Sequence, residues 1–140
     1  MRKVLFNSRD ELISIDLEKV ACIKANGNYS TLYYISQREV MLSFGITKVY
    51  ELILNAHLTE SQFVRIGRSL IINQAYLERI DVLKQQIVLA DGTVIFDGKE
   101  KRSNEIRVSV PKNLLKAYKA FLIGGSLSAA GAQEQSAGNE

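Results

Sequence analysis

The chain has 140 residues, 46% of them apolar, with 18 Lys and Arg against 15 Asp and Glu. That length predicts one domain around one core; a lone cysteine forbids an intramolecular disulfide, and a lone histidine excludes a metal site of several imidazoles. No run approaches the ~20 apolar residues of a membrane span, and the charged start "MRKVLFNSRDEL" lacks the apolar stretch of a secretory signal, so a soluble cytoplasmic protein is expected.

Short strands dominate the first third. "KVLFN" (3–7) and "ELISI" (11–15) flank the polar "SRD", a turn of hairpin length. "VACIKA" (20–25) follows the charged "DLEK"; "GNY" then marks a turn before the β-branched and aromatic "STLYYIS" (30–36). "EVMLSF" (39–44) completes a second hairpin.

The period then changes. Ile46, Val49, Tyr50, Ile53 and Leu54 recur at helical spacing, which predicts a short amphipathic helix over 46–56. His57 follows it and is read as a solvated or capping side chain. "QFVRI" and "SLIIN" return to strand, and "NQAYLE" reads as a single helical turn or bend. "RIDVLK" (79–84), "QIVLA" (86–90) and "TVIFD" (93–97) continue as strands. Asp91-Gly92 between the last two is a strong two-residue hairpin signal.

"EIRVSV" (105–110) is the final strand, and Pro111 opens a helix over 111–123 with Leu114, Leu115, Tyr118, Phe121 and Leu122 on its apolar face. From Gly124 the chain reads "GGSLSAAGAQEQSAGNE", small, polar and aperiodic. Residues 1–123 are therefore expected to form the domain, and 124–140 a disordered polar tail. The expected fold is mainly β: about ten short antiparallel strands in small packed sheets, with one short helix and one C-terminal helix. Long strands and helices do not alternate, which excludes a doubly wound parallel sheet.

Catalytic signals are weak. Phosphate loops, GxSxG and a distinctive carboxylate pair are all absent, and Cys22 between apolar neighbours reads as an inert core thiol. No enzyme, metal site or cofactor is expected. Polyanion binding has better support. All 18 basic residues but only 13 of the acidic ones precede Gly124, leaving +5 on the first 123 residues. That charge permits binding to nucleic acid without requiring it.

Arg68 stands where the strand "FVRI" breaks at Gly67, and its planar fork suits guanine O6/N7 or a phosphate. Arg65, nearby in that strand, is either structural or a phosphate contact. Asn28 in "ANGNYS" either reads a base edge or holds a turn, with the turn favoured on its own merits. Lys101 and Arg102 in "KEKR" read alone as a solvated basic loop and otherwise as DNA-binding residues.

The order of the blocks is more specific than any one of them. "VACIKANGNYSTLYYI", "ITKVYELI", "FVRIGRSLIINQAYLERI", "IVLADGTVIFDG" and "VSVPKNLLKAY" together resemble a LytTR-type DNA-binding domain, over roughly residues 8–118. The most specific part is F-x-R-x-x-R-S-x-x-x-N, matched by Phe63, Arg65, Arg68, Ser69 and Asn73. The resemblance implies a β scaffold that reads duplex DNA through loops, in bacterial transcription regulators that bind direct repeats as pairs. A homodimer on DNA and an upstream sensor or receiver protein are implied partners.

By position, the family's DNA contacts fall on Asn28, Tyr29 and Ser30, then Arg68, then Lys112. Two departures stand out: Gly67 replaces the family's histidine, and Pro111-Lys112 replaces its closing serine-arginine. Lysine keeps the charge but loses bidentate geometry, which suits phosphate better than a base. The alternative is a protein-interaction or small-ligand module that retains the fold without the DNA surface. Either a standalone domain or a piece of a longer regulator fits the sequence.

Overall fold

Two strands of the central sheet are buried at four consecutive positions, "VACI" and "LIIN", because layers cover both faces of that sheet. The computed structural model describes residues 2–56 and 62–125. His57 and the tail from residue 126 lie outside the described residues. The elements are β1 (Lys3–Asn7), β2 (Leu12–Asp16), β3 (Val20–Asn26), β4 (Tyr29–Tyr34), β5 (Glu39–Leu42), α1 (Ile46–Ala56), β6 (Phe63–Ile66), β7 (Leu70–Asn73), β8 (Leu77–Asp81), β9 (Gln86–Asp97), β10 (Glu100–Ser109) and α2 (Lys112–Gly125). Short 3-10 turns at Leu17–Lys19 and Gln74–Tyr76 join strands, the second matching the helical turn expected of "NQAYLE". The predicted mainly β class holds, the described residues forming ten strands in three antiparallel sheets.

The five-stranded sheet runs β5-β4-β3-β7-β6, flanked by the β1-β2 hairpin and by β8-β9-β10. One core was expected, but the described residues form two, one on each face. Phe6 and Ile15 of the first hairpin and Val49 and Ile53 of α1 cover one face, over Val20, Ile23, Leu32 and Ile71. Ile87, Leu89, Val108, Leu115 and Tyr118 cover the other, over Cys22, Ile66 and Ile72. A register slip between Val20 and Cys22 sets this division. The extra residue leaves Ala21 and Cys22, adjacent in sequence, in one core, while Val20 and Ile23 share the other.

Both helices run as the periodicity predicts, but their apolar stripes are rotated. On α1, Leu52 rather than Leu54 packs against the core, and Leu54 stays exposed. On α2, Leu115 and Tyr118 are buried whereas Phe121 is 65% exposed. The helix also runs one residue beyond Gly124. Pro111 sits just before its first turn, where its carbonyl accepts from the Leu114 and Leu115 N–H groups at 3.1 Å each.

The predicted Asp91-Gly92 hairpin is not there: β9 continues through it for 12 residues. The pair instead forms a bulge opposite Asn104, with Gly92 at φ +81°. Asp91 accepts from the Thr93 N–H at 2.8 Å and from the Asn104 side-chain amide at 2.9 Å. These bonds hold the Asp91 carboxyl below its usual range, the Asn104 amide contributing most. A second Asp-Gly, Asp97-Gly98, makes the turn, and Glu100 pairs back with Asp97. The charged stretch after it, expected as loop, is therefore strand.

Asn73 ties the layers together. It is fully buried, donates its amide to the Val20 carbonyl at 3.0 Å and accepts from the Ala75 N–H at 3.0 Å, capping the turn that leads to β8. Replacing it leaves a buried carbonyl and an N–H unpaired, so Asn73→Ala is expected to cost about 2–3 kcal/mol in urea unfolding.

Cys22 is fully buried, and burial pushes its thiol from an ordinary value of 9.0 up to about 11. A raised pKa favours the native state below the unfolded value and loses that contribution as pH rises through the folded one. Unfolding free energy is expected to fall more steeply between pH 9 and 11 in the parent than in Cys22→Ala. Thiol-reagent labelling at pH 8 is expected to track unfolding.

Candidate nucleic-acid interface

Three chain reversals meet at one end of the five-stranded sheet. The β3–β4 turn at Gly27-Asn28 and the β6–β7 turn at Gly67–Ser69 are neighbours, because Ala25 donates its N–H to the Ser69 carbonyl at 2.8 Å. The start of α2 closes in behind them, since a Cβ on Gly67 would lie only 2.8 Å from Leu114 Cδ1. The turns that carry Asn28 and Arg68 thereby share one end of the sheet, Lys112 lies two residues before Leu114, and all three residues are exposed.

The Asn28 corner is built from backbone and one hydroxyl. Gly27 adopts φ +63°, which lets a two-residue turn reverse the chain. Ser30 is fully buried and donates Oγ to the Phe44 carbonyl at 2.8 Å, fastening the approach to α1 beneath the corner. Tyr29, 52% exposed, lines a groove with Asn28, Ser43 and the β1–β2 turn.

Arg68 projects from a turn that Arg65 braces. Gly67 takes φ +65° to break the strand, and Arg65 donates from Nη2 to the Arg68 carbonyl at 3.0 Å. Arg65 is half-buried, its Nε without a hydrogen bond among the described residues. Below Arg68 opens a cleft of about 380 Å³ between β3, the β6–β7 turn, the end of β10 and Pro111. Its floor is apolar, with Ile66, Leu70, Val108 and Leu114, and its rim carries Lys24, Arg68, Arg107 and the serines 69 and 109.

Lys101 and Arg102 lie elsewhere. Both sit near the tip of the β9–β10 arm, where Arg102 pairs with Asp97 at 3.3 Å. At ~3.3 Å rise per residue, Arg102 is roughly 20 Å along β10 from the cleft residue Ser109. Lys24 and Arg107, in contrast, are rim residues that the sequence did not single out. Their alternation with buried Ile23 and Val108 showed only that they leave a strand on one side. It could not show that two strands from different sheets converge.

The sequence model of the LytTr DNA-binding domain matches residues 10–104, more than half of the chain, and the chain belongs to that family. Among solved structures it is similar to a Bacillus cereus chain described as the LytTr DNA-binding domain of a methyl-accepting/DNA response regulator. The two are 17% identical, with a TM-score of 0.56 over 87% of this chain and 97% of the other, a likeness of fold. No curated protein matches. Among the described residues no helix is long and apolar enough to cross a membrane.

Where the resemblance places a histidine in the family, this chain has a left-handed glycine with Leu114 against it. Gly67→Ala is expected to destabilise by about 1–2 kcal/mol, from the left-handed backbone and the contact together. In a Leu114→Ala background only the backbone part should remain, giving a non-additive double-mutant cycle in urea.

Proposed function

We propose that this chain binds double-stranded DNA and discriminates among base sequences through the end of its central sheet, acting as a bacterial, cytoplasmic transcription regulator. The observation that supports this reading is that the Asn28 and Arg68 turns are neighbours at one end of the sheet, with Leu114 of α2 against Gly67, in a domain of a DNA-binding family. Arg68 is exposed and makes no ion pair among the described residues, so its donor fork is available for a base edge. Asn28 offers an amide from the neighbouring turn, and Tyr29 an exposed ring beside it. Lys112, an exposed ammonium in the first turn of α2, serves phosphate.

Two of the candidate residues take supporting roles in this reading. Ser30 holds the corner through Phe44, and Arg65 orients the Arg68 turn through its carbonyl. Lys101 and Arg102 reach duplex only where the β9–β10 arm meets flanking DNA. Two copies on direct repeats, paired as a homodimer on the DNA, and a separate sensor or receiver protein complete the proposal. The protein-interaction alternative has no comparable gathering of groups behind it.

A random-duplex selection followed by fluorescence anisotropy tests the proposal. Arg68→Ala is expected to weaken the selected site by about 1–3 kcal/mol and relax preference at one position. Lys112→Ala is expected to weaken all duplexes alike and make the dependence of log affinity on log salt shallower by about one. A folded chain that binds no duplex at low salt overturns the reading.

A further inference from the structure

Two cations on the rim of the cleft beneath Arg68 have no role in the family-derived site. Lys24 leaves β3 beside Leu70 and Thr31, and its Nζ lies 5.1 Å from the Tyr33 ring centroid. Arg107 leaves β10 with more than half of its side chain exposed, and its Nε donates to Glu105 Oε2 at 2.7 Å. With Arg68 they bring three positive charges from three separate segments to one concavity, whose lining includes no carboxylate. Glu105 offsets the charge of Arg107, and the remaining excess raises the local positive potential around an apolar floor, which an anion relieves.

The chemistry of the rim narrows the anion. Glu105 accepts from the Nε of Arg107, which leaves the terminal nitrogens of that guanidinium as further donors. Lys24 supplies a compact point charge, and the serines 69 and 109 add short hydroxyl donors. A tetrahedral phosphate oxygen set can accept from several of these at once, whereas the major-groove edge of one base offers at most two neighbouring acceptors.

We propose that Lys24 and Arg107 bind a backbone phosphate of the duplex in this cleft, next to the position that Arg68 reads. The inference rests on the proposed DNA binding and deepens it: the cleft sets where the duplex sits, and Arg68 reads from that fixed register. Glu105 is a positioning residue that aims the Arg107 fork.

The test uses the full chain and salt-dependent anisotropy on the selected duplex and on an unrelated one. Lys24→Gln and Arg107→Gln keep the side-chain stems and are expected to weaken both duplexes about tenfold at low salt, each with a slope shallower by about one. Lys24→Arg should retain the parent slope. Arg38→Gln, at the opposite end of the sheet, should leave slope and affinity unchanged. Urea midpoints of the two Gln variants equal to the parent's separate a lost contact from lost structure; if either unfolds, Lys24→Ala and Arg107→Ala replace them. Parent binding with unchanged slopes in the Gln variants overturns this inference and leaves the proposed function standing. Absence of parent binding overturns both.

Discussion

Burial of the five-stranded sheet on both faces is the constraint on which the rest of the molecule depends. Helix α1 and the first hairpin occupy one side, and α2 with the three-stranded sheet the other. Side chains on the covered faces belong to one core or the other. Function is left with the ends of the strands, where turns must reach solvent and where their polar groups are free. Antiparallel order then decides which turns share an end. Placing β7 between β3 and β6 sets the Arg68 turn beside the Asn28 turn, although forty residues separate them.

The same packing makes the interface stiff. Arg65 spans its own turn, Leu114 fills the space over Gly67, and Ser30 anchors the segment before α1. Each contact links a loop to an element whose position a core already determines. In the proposed mode of binding, an edge held this way does not have to be ordered when a duplex arrives, so less of the contact energy is lost to ordering. Asn73 is the counterpart within the sheet: a buried amide whose two hydrogen bonds fix both the strand and the exit toward β8.

Asp91-Gly92 and Asp97-Gly98 show where local chemistry runs out. Both pairs supply a left-handed glycine after a side-chain acceptor, and either could reverse the chain. Pairing decides between them: β10 matches β9 on both sides of Asn104, so the first pair becomes a bulge and the second the turn. Helix faces show a similar limit. Periodicity located α1 and α2, but which flank of each apolar stripe meets a partner, Leu52 rather than Leu54, depends on the angle at which the helix lies on its sheet.

The amino-acid sequence by itself determined the strand-rich class, both helices, the inert character of Cys22 and, through the ordered blocks from "GNY" to "VPKNLL", the family. These are local properties, set by side-chain period, turn residues and spacing, and they survive without knowledge of partners. Only the tertiary structure decided that Ser30 turns inward, that Lys101 and Arg102 stand far along an arm, and that Lys24 and Arg107 meet Arg68 around one cleft. Convergence of residues from different strands follows from sheet order and register, and neither is written in any single stretch of chain.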